Sequence, residues 1–137
     1  MNSKKFLVGG IVGGIVYFLL GYLVFGFLLM DFFKTHSNST PGVYRADADM
    51  IWWSMIVGNL AYGFLLSYVI GKVGAASAAG GSKTGAMIAL LGSIASNCIT
   101  YALLNLSDTT AMAVDIAATT IVGGILGAIV GWVQSKV

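Results

Sequence analysis

The chain has 137 residues, of which 58% are hydrophobic and only 9% are charged, and its formal net charge is +2 at pH 7. A soluble domain has about a quarter of its residues charged, so water is not the main solvent of this protein, and its charge is too small for a nucleic-acid-binding surface. A single cysteine excludes a disulfide framework, a CxxC redox pair and a cysteine-based structural zinc site. The length fits one integral membrane domain over residues 1–137.

Uncharged apolar runs of about 20 residues or more follow one another along the chain. That length is what an α-helix needs to cross a hydrocarbon core of about 30 Å. Strands of a membrane β-barrel would instead alternate polar and apolar residues in segments of about ten. We therefore predict an all-α fold with transmembrane helices over residues 5–33, 48–73, 83–106 and 109–134.

The first and fourth predicted helices contain similar glycine-rich stretches. Val8–Val16 and Val122–Val130 are identical at seven of nine positions. Small residues spaced four apart let helix backbones approach closely in a membrane. The predicted helix-packing residues are Gly9, Gly10, Gly13, Gly14, Gly123, Gly127 and Gly131. The pattern leaves open whether these faces pack within one chain or between two copies.

The connections between the predicted helices are mostly short. Residues 31–49 form the longest one, and Asp47 and Asp49 at its end are expected to cap the second helix. Residues 74–82 are rich in Gly, Ala and Ser and are expected to form a flexible loop, whereas Ser107–Thr110 supplies N-cap residues for the fourth helix. Short connections predict an up-down-up-down four-helix bundle in which consecutive helices are antiparallel neighbours.

Basic residues are distributed unequally between the two ends of this bundle. The end with both termini carries Lys4, Lys5, Lys72, Lys83 and Lys136, and the other end carries Lys34 and Arg45. Cytoplasmic segments of membrane proteins carry the excess of Lys and Arg. We therefore expect both termini and residues 72–83 in the cytoplasm, and the protein as a multi-pass component of the bacterial cytoplasmic (inner) membrane, surrounded by the lipid bilayer.

Polar side chains concentrate in the outer halves of the second, third and fourth predicted helices. On the third helix a polar residue recurs at every fourth position from Ser93 to Asn105, so one face of this helix is polar. Polar groups that face lipid find no hydrogen-bond partner, so these faces should meet around an outward-facing pocket. The predicted solute-binding residues are Asp115, Asn97, Tyr101, Asn59, Tyr62 and Thr119.

Asp115 is the most informative single residue of the sequence. A carboxylate at the centre of a membrane span costs about 2.5 to 3.5 kcal/mol, so an acid there points to a functional site. Counting back from Trp132 places Asp115 about one helical turn inside the outer boundary. Two interpretations follow: a binding carboxylate, or an acid at a hydrated helix start where the helix dipole favours it.

Known catalytic patterns are missing from the sequence. It has no Walker motif, no HExxH and no dinucleotide-binding glycine motif, and His36 is its only histidine. A lone loop histidine without a second ligand does not make a metal site. We therefore predict a non-enzymatic protein with no catalytic residue, no metal and no cofactor.

The stretches Gly13–Gly21 and Ile51–Ser54 resemble small four-helix bacterial integral membrane proteins of unknown function. The resemblance covers most of the chain and implies a four-helix membrane fold, without assigning an activity. The small multidrug resistance transporters are similar in length and number of spans, but their proton and drug site is a glutamate in the first span. This sequence contains no glutamate.

Two functions are consistent with these observations. The first is binding or transport of a small polar or cationic solute through the outward-facing pocket, with Asp115 as the counter-charge. The alternative is a scaffold or accessory subunit of a larger membrane complex, which packs through its glycine-rich faces against a second copy or against partner membrane subunits. Neither function involves nucleic acid.

Overall fold

The computed structural model describes residues 2–37 and 41–137. Its regular structure over these residues is helical, as predicted, and consists of α1 (Ser3–Leu23), α2 (Met30–His36), α3 (Trp52–Lys72), α4 (Ala78–Leu103) and α5 (Thr109–Lys136). The segments Ser3–Leu28, Trp52–Lys72, Ala78–Leu103 and Thr109–Lys136 are long and apolar enough to cross a membrane. The predicted all-helical fold with four candidate membrane spans is thus confirmed.

The first span is less regular than the sequence predicts. Residues 5–33 are not one continuous helix, because a π-helical segment, Val24–Leu28, follows α1 and the chain then leaves helical geometry at Leu29 (φ −106°, ψ 5°). The short helix α2 begins after this break and buries none of its residues. The first span therefore ends at Leu28, and α2 is a separate short helix after it.

Two predicted helix starts differ from the observed ones. Asp47 and Asp49 do not cap α3: they form a 3-10 turn, and the extended backbone of Met50 and Ile51 separates them from the first residue of that helix. Helix α4 begins at Ala78, inside the predicted flexible loop, because the Ser77 hydroxyl accepts a hydrogen bond from the Gly80 N–H at 3.0 Å. Only residues 73–77 then separate α3 from α4.

Helices α4 and α5 pack against each other along glycine and alanine residues. A Cβ atom added to Gly127 would collide with the Gly81 carbonyl and lie 2.9 Å from the Gly85 Cα, so the two backbones are in direct contact. Farther along, Gly123 meets Gly85 and Ala89. Residue numbers rise along α4 as they fall along α5, as expected for a helical hairpin with the short connection Leu104–Asp108.

Helix α1 uses its glycines to contact both α3 and α5. Gly10 and Gly14 lie against Phe64 and Leu60 of α3. Gly13 lies between Gly63 of α3 and Val130 of α5. The two glycine-rich stretches therefore take part in contacts within one chain, and α1 is the helix that joins α3 to α5.

The bundle is packed tightly at one end. Leu66, Ile70, Leu126 and Val130 form a fully buried core cluster, and most other buried residues lie in the same half. We call this half, which contains Gly9, Ser67, Gly81 and Gln134, the closed end, and the half that contains His36 and Asp108 the open end. Helices α3 and α4 make few contacts although they are consecutive, because the small residues of α4 pack on α5 and those of α1 pack on α3.

The glycine contact between α4 and α5 predicts that alanine substitutions at two glycines change the free energy of unfolding in opposite directions. Gly127→Ala places a methyl group against backbone atoms and should lower the free energy of unfolding by about 1 to 3 kcal/mol. Gly92→Ala has open space in front of it and should raise it by about 0.5 to 1 kcal/mol, because alanine favours a helix more than glycine does. Thermal unfolding in detergent measures both changes, and equal shifts would contradict backbone contact at Gly127.

Candidate functional site

Asp115 lies near the start of α5 and is bonded to α4. It is half-buried, about 9 Å along the helix from Thr109. The Asn97 Nδ2 group donates a hydrogen bond to Asp115 Oδ2 at 2.6 Å and a second one to the Ser93 carbonyl at 2.9 Å. The Asn97 amide is thus held on α4 and donates a hydrogen bond to the Asp115 carboxylate of α5.

Two tyrosines from the other two spans, Tyr17 and Tyr62, contact each other. The Tyr17 and Tyr62 rings have centroids 4.4 Å apart and an interplanar angle of 31°. Tyr17 also lies within electrostatic range of the Asp115 carboxylate. We refer to these two pairs, Tyr17 with Tyr62 and Asn97 with Asp115, which together take one residue from each of the four candidate spans, as the Asp115 cluster.

The Asp115 cluster lies where the tight packing of the closed end stops. Both tyrosines are half-buried and pack against the buried core cluster. Tyr17 is not among the residues predicted from the sequence, which all come from the second, third and fourth spans. Its position could have been inferred from the glycine pattern. Tyr17 follows Gly13 by four residues and so lies on the face of α1 that contacts α3 and α5.

The other predicted site residues lie in different surroundings. The Asn59 amide donates to the Met55 carbonyl of its own helix at 2.7 Å, and no described hydrogen bond joins it to Asp115. Thr119 lies one turn beyond Asp115 on α5 and is half-buried. Tyr101 is half-exposed and lines a cavity at the open end. Of the predicted residues, the structure thus joins Asn97 to Asp115 by a hydrogen bond and places Tyr62 against Tyr17, a residue that was not predicted.

A polar cavity of about 510 Å³ opens at the end of the bundle above this cluster. It is lined by Thr35, His36, Ser37, Tyr101, Asn105, Ser107, Asp108 and Thr109. We call it the outer cavity, because it lies at the open end of the bundle. Tyr101 follows Asn97 by one turn of α4, so the same helix face leads from the outer cavity to the Asp115 cluster.

His36 and Asp108 hold the short helix α2 against the connection between α4 and α5. His36 Nδ1 and Asp108 Oδ2 lie 2.7 Å apart, and the Asp108 N–H donates to the His36 carbonyl at 3.1 Å. Ser37 and Ser107 form an antiparallel bridge next to this pair. No local sequence pattern indicates this contact, because His36 and Asp108 are 72 residues apart.

The Asp108 carboxylate also begins α5. Its Oδ1 atom accepts a hydrogen bond from the Ala111 N–H at 2.7 Å, as expected for an N-cap residue. This hydrogen bond, followed by the one with His36, holds the pKa of Asp108 below its ordinary value. Within residues 2–37 and 41–137, no three His, Cys, Asp or Glu side chains are grouped as ligands for a metal ion.

No protein-family model, no curated protein and no solved structure matches this chain. The assignment of a function therefore depends on the geometry of the chain itself.

The lowered pKa of Asp108 predicts an acid-dependent difference between the parent protein and Asp108→Asn. The carboxylate stabilises the fold fully above its pKa in the unfolded chain, about 3.9, and this contribution is lost as the pH falls through the lower pKa of the folded state. Asp108→Asn should therefore be less stable than the parent at pH 7 and equally stable in strong acid. Thermal unfolding across this pH range measures the difference, with Asp47→Asn as the control, and a difference independent of pH would contradict the prediction.

Proposed function

We propose that this protein is a small multi-pass membrane protein that binds or transports a small polar or cationic solute. The solute enters through the outer cavity and reaches the Asp115 cluster. The proposal rests on one observation above all: the hydrogen bond between Asn97 and Asp115, in a cluster to which every candidate span contributes a side chain.

The cost of placing Asp115 in a span supports a functional role. Asp115 is the only acidic residue within the candidate spans. A charge at the centre of a span costs about 2.5 to 3.5 kcal/mol, whereas a polar contact between membrane helices contributes about 0.6 kcal/mol on average. Asp115 lies about 9 Å along α5 from Thr109 and not at the centre of the span, so it carries only part of this cost, which the hydrogen bond with Asn97 and a bound cation or proton would offset.

The chemistry of the cluster suits a small solute rather than a reaction. Asp115 offers negative charge, Asn97 offers an amide, and Tyr17 and Tyr62 offer hydroxyl groups and ring faces. A carboxylate beside aromatic rings is suited to a cation. The proposal includes no catalytic step and no cofactor.

The alternative, a scaffold or accessory subunit, depended on glycine faces that dock other chains. Each of the seven predicted packing glycines has atoms of its own chain close to the position of an added Cβ. Docking of a second copy or of partner subunits would have to use other faces, such as those of Gly58 or Gly92, which have open space in front of them. We therefore favour solute binding.

The orientation in the bacterial inner membrane is part of the proposal. Lys4, Lys5, Lys72 and Lys136 lie at helix ends of the closed end, and Lys83 lies in the second turn of α4. We propose an up-down-up-down bundle with the closed end and both termini in the cytoplasm and the outer cavity outside, following the distribution of basic residues.

Cysteine labelling in intact cells tests this orientation. In a Cys98→Ala background, Ala46→Cys on the exposed connection before α3 should react with a membrane-impermeant maleimide, and Ala79→Cys in the first turn of α4 should react only after the cells are permeabilised. Labelling of Ala79→Cys but not Ala46→Cys in intact cells would reverse the orientation.

Asp115→Asn tests the solute site. The amide keeps the size of the side chain and removes its charge, so the protein should fold and its affinity for cations should fall about 10- to 100-fold. Reconstituted protein is titrated with protons, alkali cations and alkylammonium ions. Calorimetry measures binding to the parent and to Asp115→Asn, and the infrared carboxylate band of the parent reports whether Asp115 takes part. The matched control is Asp31→Asn at the start of α2, which should bind as the parent does.

Other results of this titration would contradict the proposal. A carboxylate band of Asp115 that ignores every added cation would contradict a solute site. Unchanged binding by Asp115→Asn would assign binding to another group. A change in thermal stability alone, without any binding by the parent, would favour the scaffold function.

A further inference from the structure

A buried polar contact joins three helices at the closed end. Ser67 of α3 and Gln134 of α5 are both fully buried. The Gln134 Nε2 group donates to the Ser67 carbonyl at 2.8 Å and to the Ser67 hydroxyl at 2.9 Å. The Ser67 hydroxyl in turn donates to the Phe6 carbonyl of α1 at 2.8 Å. We call Phe6, Ser67 and Gln134 the closed-end lock.

The closed-end lock depends on Gly9. A Cβ atom at this position would lie 2.6 Å from the Ser67 hydroxyl oxygen and 3.2 Å from Gln134 Nε2. The missing side chain of Gly9 therefore leaves the space in which two polar groups meet between α1, α3 and α5.

One polar atom of the lock is unsatisfied. Gln134 Oε1 is buried and has no hydrogen-bond partner among the described residues. Leaving a buried acceptor unpaired destabilises the closed arrangement, and a leucine at this position would avoid the cost. The closed arrangement is thus less stable than an apolar seal of the same shape would be.

The lock lies on the path from the Asp115 cluster to the closed end. The core cluster of Leu66, Ile70, Leu126 and Val130 adjoins Tyr17 and Tyr62, and Gln134 follows Val130 by one helical turn. Separation of α5 from α1 and α3 in this region would connect the Asp115 cluster with the closed end. Separation would expose the lock to water, which replaces its hydrogen bonds and satisfies Gln134 Oε1.

We infer that the closed-end lock is the inner gate of this protein, a polar seal that opens transiently when Gln134 separates from Ser67. The inference builds on the proposed function by naming the contact that controls release from the Asp115 site. An apolar seal would hold the bundle shut more firmly, because opening it would expose hydrocarbon to water.

The test uses a cysteine behind the gate. Val130→Cys, in a Cys98→Ala background, places a thiol at a fully buried position one turn deeper than Gln134. Protein is prepared in membrane vesicles of both orientations, and the reaction of this thiol with a water-soluble, positively charged methanethiosulfonate reagent is followed over time. The reaction rate from the closed-end side measures how often the gate opens.

Two variants of the lock should change this rate in opposite directions. Ser67→Ala removes the hydrogen bonds of the Ser67 hydroxyl to the Phe6 and Lys5 carbonyls and the one that it accepts from Gln134, so the rate should rise about tenfold. The double variant Ser67→Ala/Gln134→Leu makes the seal apolar and removes the unpaired oxygen, so the rate should fall about tenfold below that of the parent. The control Ser93→Ala, whose hydroxyl bonds only to Leu90 of its own helix, should leave the rate unchanged.

The outcomes separate a gate from a purely structural contact. Two results would overturn the gate. One is an equal reaction rate of the Val130→Cys thiol with and without the lock variants. The other is a Val130→Cys thiol that never reacts from the closed-end side when the lock is unchanged. Thermal unfolding of each variant identifies a rise in rate that is caused by global unfolding, which would also overturn it. Binding at Asp115 is measured separately by infrared titration, so loss of the solute site and loss of the gate are distinguishable.

Discussion

Close approach of helix backbones at the closed end is the constraint on which the rest of this structure depends. Within a bilayer the lipid is as apolar as the side chains, so helices associate through packing and hydrogen bonds rather than through the hydrophobic effect. Gly81, Gly85 and Gly127 bring α4 and α5 into backbone contact, and Gly13 brings α1 between α3 and α5. These contacts concentrate the tight packing in one half of the molecule.

The open end is polar because it is less tightly packed. Side chains such as Asn97, Asp115 and Tyr101 require space and hydrogen-bond partners, which a seam of glycines does not provide. The Asp115 cluster lies at the boundary, where the tyrosines cover the apolar core on one side and Asp115 accepts a hydrogen bond from Asn97 on the other. On the proposed function, a solute is held where the helices begin to diverge.

Polar contacts join the helices at both ends, and they differ in character. At the open end, His36 and Asp108 are at least partly exposed, so water competes with their interaction, and the contact holds only the short helix α2. At the closed end, Ser67 and Gln134 are fully buried and link three spanning helices. Burial makes the second contact more consequential, because a buried polar group that loses its partner also lacks water until the helices separate.

Composition and spacing alone determine that this chain forms four helices long and apolar enough to cross a membrane. Runs of uncharged residues set the positions of the spans, and glycines four residues apart mark the helix faces that pack closely. Both features can be read from the sequence because they depend only on residues that are close together along one helix. Asp115 and Asn97 were recognisable as site residues because polar groups in a span require partners. Tertiary structure alone decided which partners they find. The proximity of Tyr17 to Asp115, the contact of His36 with Asp108 and the burial of Gln134 against Ser67 join residues far apart in sequence, and such contacts depend on how the helices rotate and cross rather than on local pattern.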